Sequence, residues 1–144
     1  MFETPITIVG RLVSDPVRRS VGTQDVAKFR LASNARRRTE DGNWVPGDSL
    51  FVNVNCWGRL VTGVVASLKK GDAVVVSGNI YTSEYDDRDG NRRSSLEMRA
   101  HAVGPDLSHY VVDLRRVEGL RDGEVATDSS TAAAEDDGPL ALSA

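Results

Sequence analysis

A chain of 144 residues is one domain's worth of sequence with room for a tail, long enough to bury a core without covalent staples. Its single cysteine, Cys56, excludes an internal disulfide and any multi-cysteine metal site, and fits a reducing compartment. The net charge of −3 conceals an asymmetry: residues 1–122 hold all 18 Lys and Arg against 16 Asp and Glu, whereas residues 123–144 hold five acids and no base. Only a groove that meets phosphate must be basic, so the acidic balance of the whole chain excludes no polyanionic partner.

The start, MFETPITIVGRLVSDP, lacks a basic segment followed by a long apolar run, so no secretion signal is expected. ITIVGRLVSD reads as a first strand, kinked at Gly10 and closed by the turn signal Asp15-Pro16. PVRRSVGTQ reads as a loop or hairpin tip. DVAKFRLASNA alternates as a second strand, with Phe29 and Leu31 on one side and Lys28 and Arg30 on the other. RRRTEDGNWVPGDS is polar, punctuated by Gly and Pro, and long for a hairpin loop. LFVNVNCWGR is the third strand: Val52, Val54 and Cys56 form an aliphatic face, and Phe51, Asn53, Asn55 and Trp57 form the other.

RLVTGVVASLKKG is the one convincing helix. Leu60, Val61, Val64, Val65 and Leu68 make a stripe that suits a core, with Lys69 and Lys70 in its last turn and Gly71 just past its end. This stretch is also the longest apolar-leaning one, and it is interrupted and too short to span a bilayer. DAVVVSGNIYTSEYD is a long strand with a bulge expected at Ser77-Gly78. Asp89-Gly90 signals a hairpin turn, after which Leu96, Met98, Ala100 and Ala102 are expected inward and Glu97, Arg99 and His101 outward. Five strands with one helix between the third and fourth suit an all-β Greek-key barrel of the OB type, although the pattern alone also admits another five-stranded barrel. The expected organisation is a barrel over 1–104, an extension over 105–122 and a disordered acidic tail over 123–144. In the extension, Tyr110, Val112 and Leu114 fit one more strand, which would want a partner such as another subunit.

Catalytic signals are weak. His101 and His109 lie in no metal-ligand spacing. YDDRDGN invites a calcium-loop reading, but Tyr85 takes the first ligand position and no Glu falls at the twelfth, so a solvated hairpin tip accounts for it better. Cys56, on the aliphatic face, reads as a buried inert thiol. No catalytic residue, cofactor or metal is assigned.

Aromatic and basic residues interleaved on strands are the stronger signal, because single-stranded nucleic acid needs flat rings for unstacked bases and cations along its backbone. Phe51, Trp57, Tyr81 and Tyr85 lie on the non-aliphatic side of the third and fourth strands as candidate stacking residues. Arg36, Arg37, Arg38, Arg59, Arg88, Arg92 and Arg93 lie beside them as candidate phosphate contacts, with Asn53 and Asn55 as polar contacts. Each aromatic has a plainer reading as core. Turning Trp57 inward, however, would expose Val52, Val54 and Cys56, because a one-residue slip flips every side chain of a strand.

On these residues the chain resembles the bacterial single-stranded DNA-binding protein family over about residues 4–104. The matching elements are Gly10 to Pro16 (G-x-L-x-x-D-P), Trp57 to Leu60 (aromatic-Gly-Arg-Leu), LKKG and DGNRR, in that order and spacing. The segment after Gly104 is similar to the subunit-clamping extension of actinobacterial members. The resemblance implies an OB barrel, a cytoplasmic homotetramer, and sequence-independent binding of single-stranded DNA in replication, recombination or repair. It places the family's stacking aromatics at Phe51, Trp57 and Tyr85 and sets Arg37 where another stacking Trp would stand, with Trp44 as a candidate substitute. Family members end in an acidic tip closing with Pro-Phe that docks replication and repair enzymes. Here EDDGPLALSA carries no Phe, which counts against partner recruitment through the tail and fits a secondary paralogue. The rival reading is an OB module of the replisome or primosome that contacts proteins.

Overall fold

The computed structural model describes residues 2–118; the acidic stretch 123–144, expected to be disordered, lies outside the described residues. The elements are β1 (Thr4–Leu12), β2 (Val17–Val21), β3 (Gln24–Arg38), β4 (Trp44–Trp57), α1 (Leu60–Ser67), β5 (Ala73–Asp86) and β6 (Arg92–Pro105). Strand order is β1-β5-β6-β4-β3-β2, and β1 also pairs with β3. That last pairing, Arg11 with Ala32 and Leu12 with Leu31, closes β1, β3, β4, β5 and β6 into a five-stranded barrel. All neighbours are antiparallel except β4 and β6, which run parallel through Asn53–Asn55 and Glu97–Arg99. This is the OB barrel expected, with one strand more. PVRRSVGTQ is no mere loop: Val17–Val21 pairs with β3 along its whole length, turning through Gly22 at φ 63°.

The core is built by alternation. Phe29 and Leu31 of β3, Val52, Val54 and Cys56 of β4, Val74 and Val76 of β5 and Met98 of β6 are all buried. Val61 and Val64 of α1 join the same cluster, with Leu60 and Leu68 packed against it. The helix ends sooner than its apolar stripe: Leu68 is extended, Lys69 and Lys70 lie beyond the helix, and Val65 is exposed. The reason is local. The Asp72 carboxylate accepts the Lys69 amide at 2.9 Å, and the Asp15 carboxylate accepts the Lys70 amide at 2.8 Å, so the chain is turned before another helical turn forms.

Two glycines hold the barrel's close approaches. A Cβ on Gly10 would collide with the Ala32 carbonyl oxygen, where β1 passes from β5 to β3. A Cβ on Gly78 would collide with the Arg99 carbonyl and come within 2.8 Å of the Ala100 Cα. The register shifts between Ser77 and Gly78, as expected, but the extra residue is His101 on β6. It reverses the alternation there, so Ala102 is exposed and Val103, not Ala102, packs on the core.

The polar segment after Arg36 is likewise a correction. β3 continues to Arg38 and β4 starts at Trp44, forming a hairpin arm whose turn is closed by Thr39 and Asn43 and by Gly42 at φ 85°. Beyond β6, the Tyr110 hydroxyl accepts the Ala73 amide at 2.8 Å. The stretch from Tyr110 to Arg116, expected as a strand, is not one in the single chain. The first compact unit runs to Val112; of the second, residues 113–118 are described and carry no strand or helix. No helix among the described residues is long and apolar enough to cross a membrane.

Gly78→Ala is expected to lower stability by about 1–3 kcal/mol, since only backbone stands in the way of the new methyl. Gly63→Ala, mid-helix with nothing within 4 Å, is expected to raise stability by roughly 0.5–1 kcal/mol. Urea unfolding of both variants checks the pair of opposite signs.

Candidate functional site

Because Val52, Val54 and Cys56 are fully buried, β4 turns Phe51, Asn53, Asn55 and Trp57 to the outside of the barrel. Register then fixes their neighbours. Asn53 lies between Arg30 of β3 and Glu97 of β6, and Glu97 in turn pairs with Tyr81 of β5. Asn55 lies between Lys28 and Arg99, Trp57 pairs with Val26, and Phe51 with Ala32. One face therefore carries Lys28, Arg30, Phe51, Asn53, Asn55, Trp57, Tyr81, Glu97 and Arg99.

Two aromatics of this face are paired with cations. The Arg30 guanidinium lies 5.2 Å from the Phe51 ring centroid, and that of Arg99 lies 5.8 Å from the Trp57 centroid, both within cation–π range. Phe51 is 44% and Tyr81 49% exposed, while Trp57 is half-buried.

An acid sits at the centre. Glu97, expected outward, does lie off the core, yet it is only 7% exposed because polar side chains surround it. Asn53 Nδ2 donates to its Oε2 at 2.9 Å, Asn55 Nδ2 to its Oε1 at 3.0 Å and Ser95 Oγ to its Oε2 at 2.8 Å; Lys28 Nζ is 3.7 Å from Oε1. Burial alone would raise this carboxyl's pKa. The hydrogen bonds from Asn55, Asn53 and Ser95, with the Lys28 charge, outweigh it and hold the group below its ordinary value. The network extends outward, since Arg30 Nη1 donates to Asn53 Oδ1 at 3.2 Å. Asn55 is 8% exposed and its amide also reaches the Met98 carbonyl, so it is spent inside the protein and not offered outward.

The remaining candidates lie on two arms and one turn. Arg36, Arg37 and Arg38 are exposed on the β3–β4 arm, opposite Pro46, Val45 and Trp44 respectively, and Trp44 is 58% exposed. Tyr85 is exposed near the tip of the β5–β6 hairpin, opposite Arg93. There Arg92 pairs with Glu84 at 3.2 Å and Asp86 at 3.5 Å, and Arg93 with Asp87 at 2.8 Å, while Arg88 is exposed in the turn. Asp87 organises that turn: it accepts hydrogen bonds from Arg93 and from the Asn91 and Asp89 amides, which hold its pKa low. Arg59 occupies the N-cap of α1. The structure thus gathers Phe51, Trp57, Tyr81 and the two Asn residues on one face and leaves the arginines at its margins. Sequence reading did not assign Lys28, Arg30, Glu97 or Arg99 to the site; the alternation placed them outward, but only pairing shows which strands they join.

Cys56 is fully buried, and burial pushes its thiol up to about 12, which fits an inert core residue. Among the described residues no three His, Cys, Asp or Glu side chains come together as a metal-binding group.

Residues 4–106 match the Single-strand binding protein family. The single-stranded DNA-binding protein of Corynebacterium glutamicum is 39% identical over 116 residues, covering 79% of this chain; the chain spans about half of that relative, 52%. The single-stranded DNA-binding protein of Mycobacterium tuberculosis is 32% identical over 144 residues, covering 95% of this chain and 87% of the relative. Among solved structures, the second single-stranded DNA-binding protein of Mycobacterium smegmatis is 50% identical with a TM-score of 0.66, covering 80% of this chain and all of that one. The small single-stranded DNA-binding protein of Streptomyces coelicolor is 34% identical with a TM-score of 0.69, covering 76% of this chain and all of that one.

Every group around Glu97 is a donor, so an ionised carboxylate satisfies it and an amide does not. Glu97→Gln is expected to cost about 1–3 kcal/mol at neutral pH by leaving a buried donor unpaired. Because the folded-state pKa of Glu97 is lowered, its contribution is present above the unfolded value and lost as pH falls through the folded one. The stability gap between wild type and variant should therefore narrow on acidification, which urea titrations at neutral and acid pH measure.

Proposed function

Since this chain belongs to the single-strand binding protein family, we propose that it binds and protects single-stranded DNA, without reading its sequence, in replication, recombination or repair. The observation that carries the reading is the barrel face on which Phe51, Trp57 and Tyr81 alternate with Lys28, Arg30 and Arg99, backed by strands whose other side is core. Unstacked bases lie on the rings, each stacked base contributing about 1–3 kcal/mol, while guanidinium and ammonium groups neutralise phosphates. Tyr85, Arg88, Arg92 and Arg93 extend the path along one arm, and Arg36, Arg37 and Arg38 along the other, with Arg59 at the turn after β4.

Sequence independence follows from the polar groups. The amides of Asn53 and Asn55, the groups best suited to reading a base edge, are held by Glu97. Stacking is sequence-tolerant because every base has a π-face. The reading requires no catalytic group and no cofactor, and it places the protein in the cytoplasm, on the nucleoid when bound to DNA.

The assembly belongs to the same proposal. Val111 is 98% and Leu114 91% exposed in a stretch of β-forming composition that is not a strand by itself. Pairing with another subunit gives those side chains a partner within a homotetramer.

Titration with oligo-dT should quench tryptophan fluorescence strongly, and a matched duplex should not. Tight binding to neither would favour the protein-interaction module instead. Arg37 replaces a stacking term by a phosphate contact, so Arg37→Trp is expected to bind more tightly with a shallower salt dependence; an unchanged or steeper slope would sink that assignment. Truncation after Tyr110 keeps its bond to Ala73 and removes the exposed apolar stretch. Light scattering should then show a looser assembly, and an unaltered oligomer would reject the clamp.

A further inference from the structure

The strand missed in the sequence widens the binding face. Val17, Arg19 and Val21 share one side of β2, and the ladder pairs Val17 with Lys28 and Arg19 with Val26. Val26 in turn pairs with Trp57, and Lys28 with Asn55. Two cross-strand rows therefore run without a break from β2 onto the stacking face: Arg19, Val26, Trp57, and Val17, Lys28, Asn55. Paired residues of a ladder point to the same side of the sheet, so Arg19 stands on the side of Trp57.

These rows line a groove of about 480 Å³, with Val17, Val21, Val26 and Trp57 among its apolar lining and Arg19, Lys28 and Arg30 as its cations. The volume falls within the range of small-ligand sites, and an apolar slot with a few placed charges is their usual make-up. Val17 and Val21 remain 51% and 54% exposed, more than a short edge strand beside a core would leave if the core had use for them. Among the described residues Arg19 makes no ion pair. Its neighbour Arg18 differs in every respect: it lies on the opposite side, paired with Ala27, and its guanidinium is bound to Asp25 at 2.7 Å, with Ser20 holding the other carboxylate oxygen at 2.9 Å.

We propose that this groove is a nucleotide subsite of the single-strand path, in which a base next to the one on Trp57 lies against Val21 and Val26 and its phosphate meets Arg19. The assignment rests on the single-stranded DNA reading above and adds β2 to the surface that carries it. Charge and shape favour a nucleotide over an apolar peptide, because the walls that close the slot are cationic and the anionic Glu97 is covered by its donors. The strand then crosses the barrel from β2 over β3 and β4 instead of ending at Trp57.

The adjacent arginines supply the test within one dipeptide. Equilibrium titrations of the full chain with oligo-dT at several salt concentrations should show Arg19→Ala weakened roughly threefold to tenfold with a salt slope shallower by about one. Arg18→Ala should keep the wild-type slope. Val21→Asp, which alters an exposed side chain and places an anion in the slot, should weaken binding at least as much as Arg19→Ala, with an unchanged unfolding midpoint. Wild-type slopes in Arg19→Ala and Val21→Asp, beside tight binding by the wild type, would overturn the subsite and leave the general function standing. Equal losses in Arg18→Ala and Arg19→Ala would overturn it as well, since Arg18 faces away from the groove. No binding by the wild type would overturn the reading beneath it.

Discussion

The pleat of β4 governs this molecule. Successive side chains of a strand point to opposite faces, and in β4 the three inward residues Val52, Val54 and Cys56 have no exposed surface at all. A slip by one residue would bring the amides of Asn53 and Asn55 into the core in their place. Phe51, Asn53, Asn55 and Trp57 are therefore outside by necessity, whatever their own preference for burial. β4 also lies between β3 and β6 in the sheet, so its outer face is flanked on both sides, and the rings acquire Arg30 on one flank and Arg99 on the other. A platform of aromatics with adjacent cations is the consequence of one strand's register.

Such a face has an electrostatic problem, which Glu97 addresses. Three cations on one face repel, and long side chains left to water sample many rotamers. A buried carboxylate accepting from Asn53, Asn55 and Ser95, with Lys28 nearby, ties these groups into one arrangement. The tie reaches Arg30 through Asn53 and so reaches the ring of Phe51. Order of this kind lowers the entropy lost when a ligand settles on the face. Elsewhere the cations differ in how they are held: on the β5–β6 hairpin Arg92 and Arg93 are matched by Glu84, Asp86 and Asp87, whereas among the described residues Arg36, Arg37 and Arg38 of the β3–β4 arm make no ion pair. Stacking is thus concentrated on the barrel, and arginines free of ion pairs on one arm.

What the sequence disclosed is what short-range patterns control. Alternation in β4, the presence of α1 and the Asp89-Gly90 turn are all local, and each was legible; the place of the register shift on β5 was legible too, but not the strand that carries its extra residue. The failures share a different cause. β2 has no buried residue, so it carries no amphipathic signal and exists only because β3 offers it a ladder. The inward turn of Val103 depends on His101 being left without an opposite number, a property of two strands together. The burial of Glu97 needs donors from β3, β4 and its own strand at once. Tyr110 to Arg116 has the composition of a strand and forms none among the described residues. Sequence periodicity reports what each residue faces; it does not report which neighbour completes the pair.

Two of the four motifs that made the family recognisable, Gly10 to Pro16 and LKKG, belong to the scaffold. Gly10 is there because β1 must pass over the Ala32 carbonyl. Asp15, from the G-x-L-x-x-D-P element, accepts the Lys70 amide of LKKG, and Gly71 donates to the Leu12 carbonyl while its own carbonyl accepts from Arg11. Two motifs 55 residues apart in sequence are thus one joint in space, and neither touches the stacking face. The residues that would meet DNA stand on strands whose inner faces alone are fixed by packing. Arg37 is exposed on an arm that extends beyond the core, so an outward residue there can be an aromatic or a cation without disturbing the barrel. The same fold can in this way exchange stacking for charge, and the balance struck in this chain is read from its outward residues, one strand at a time.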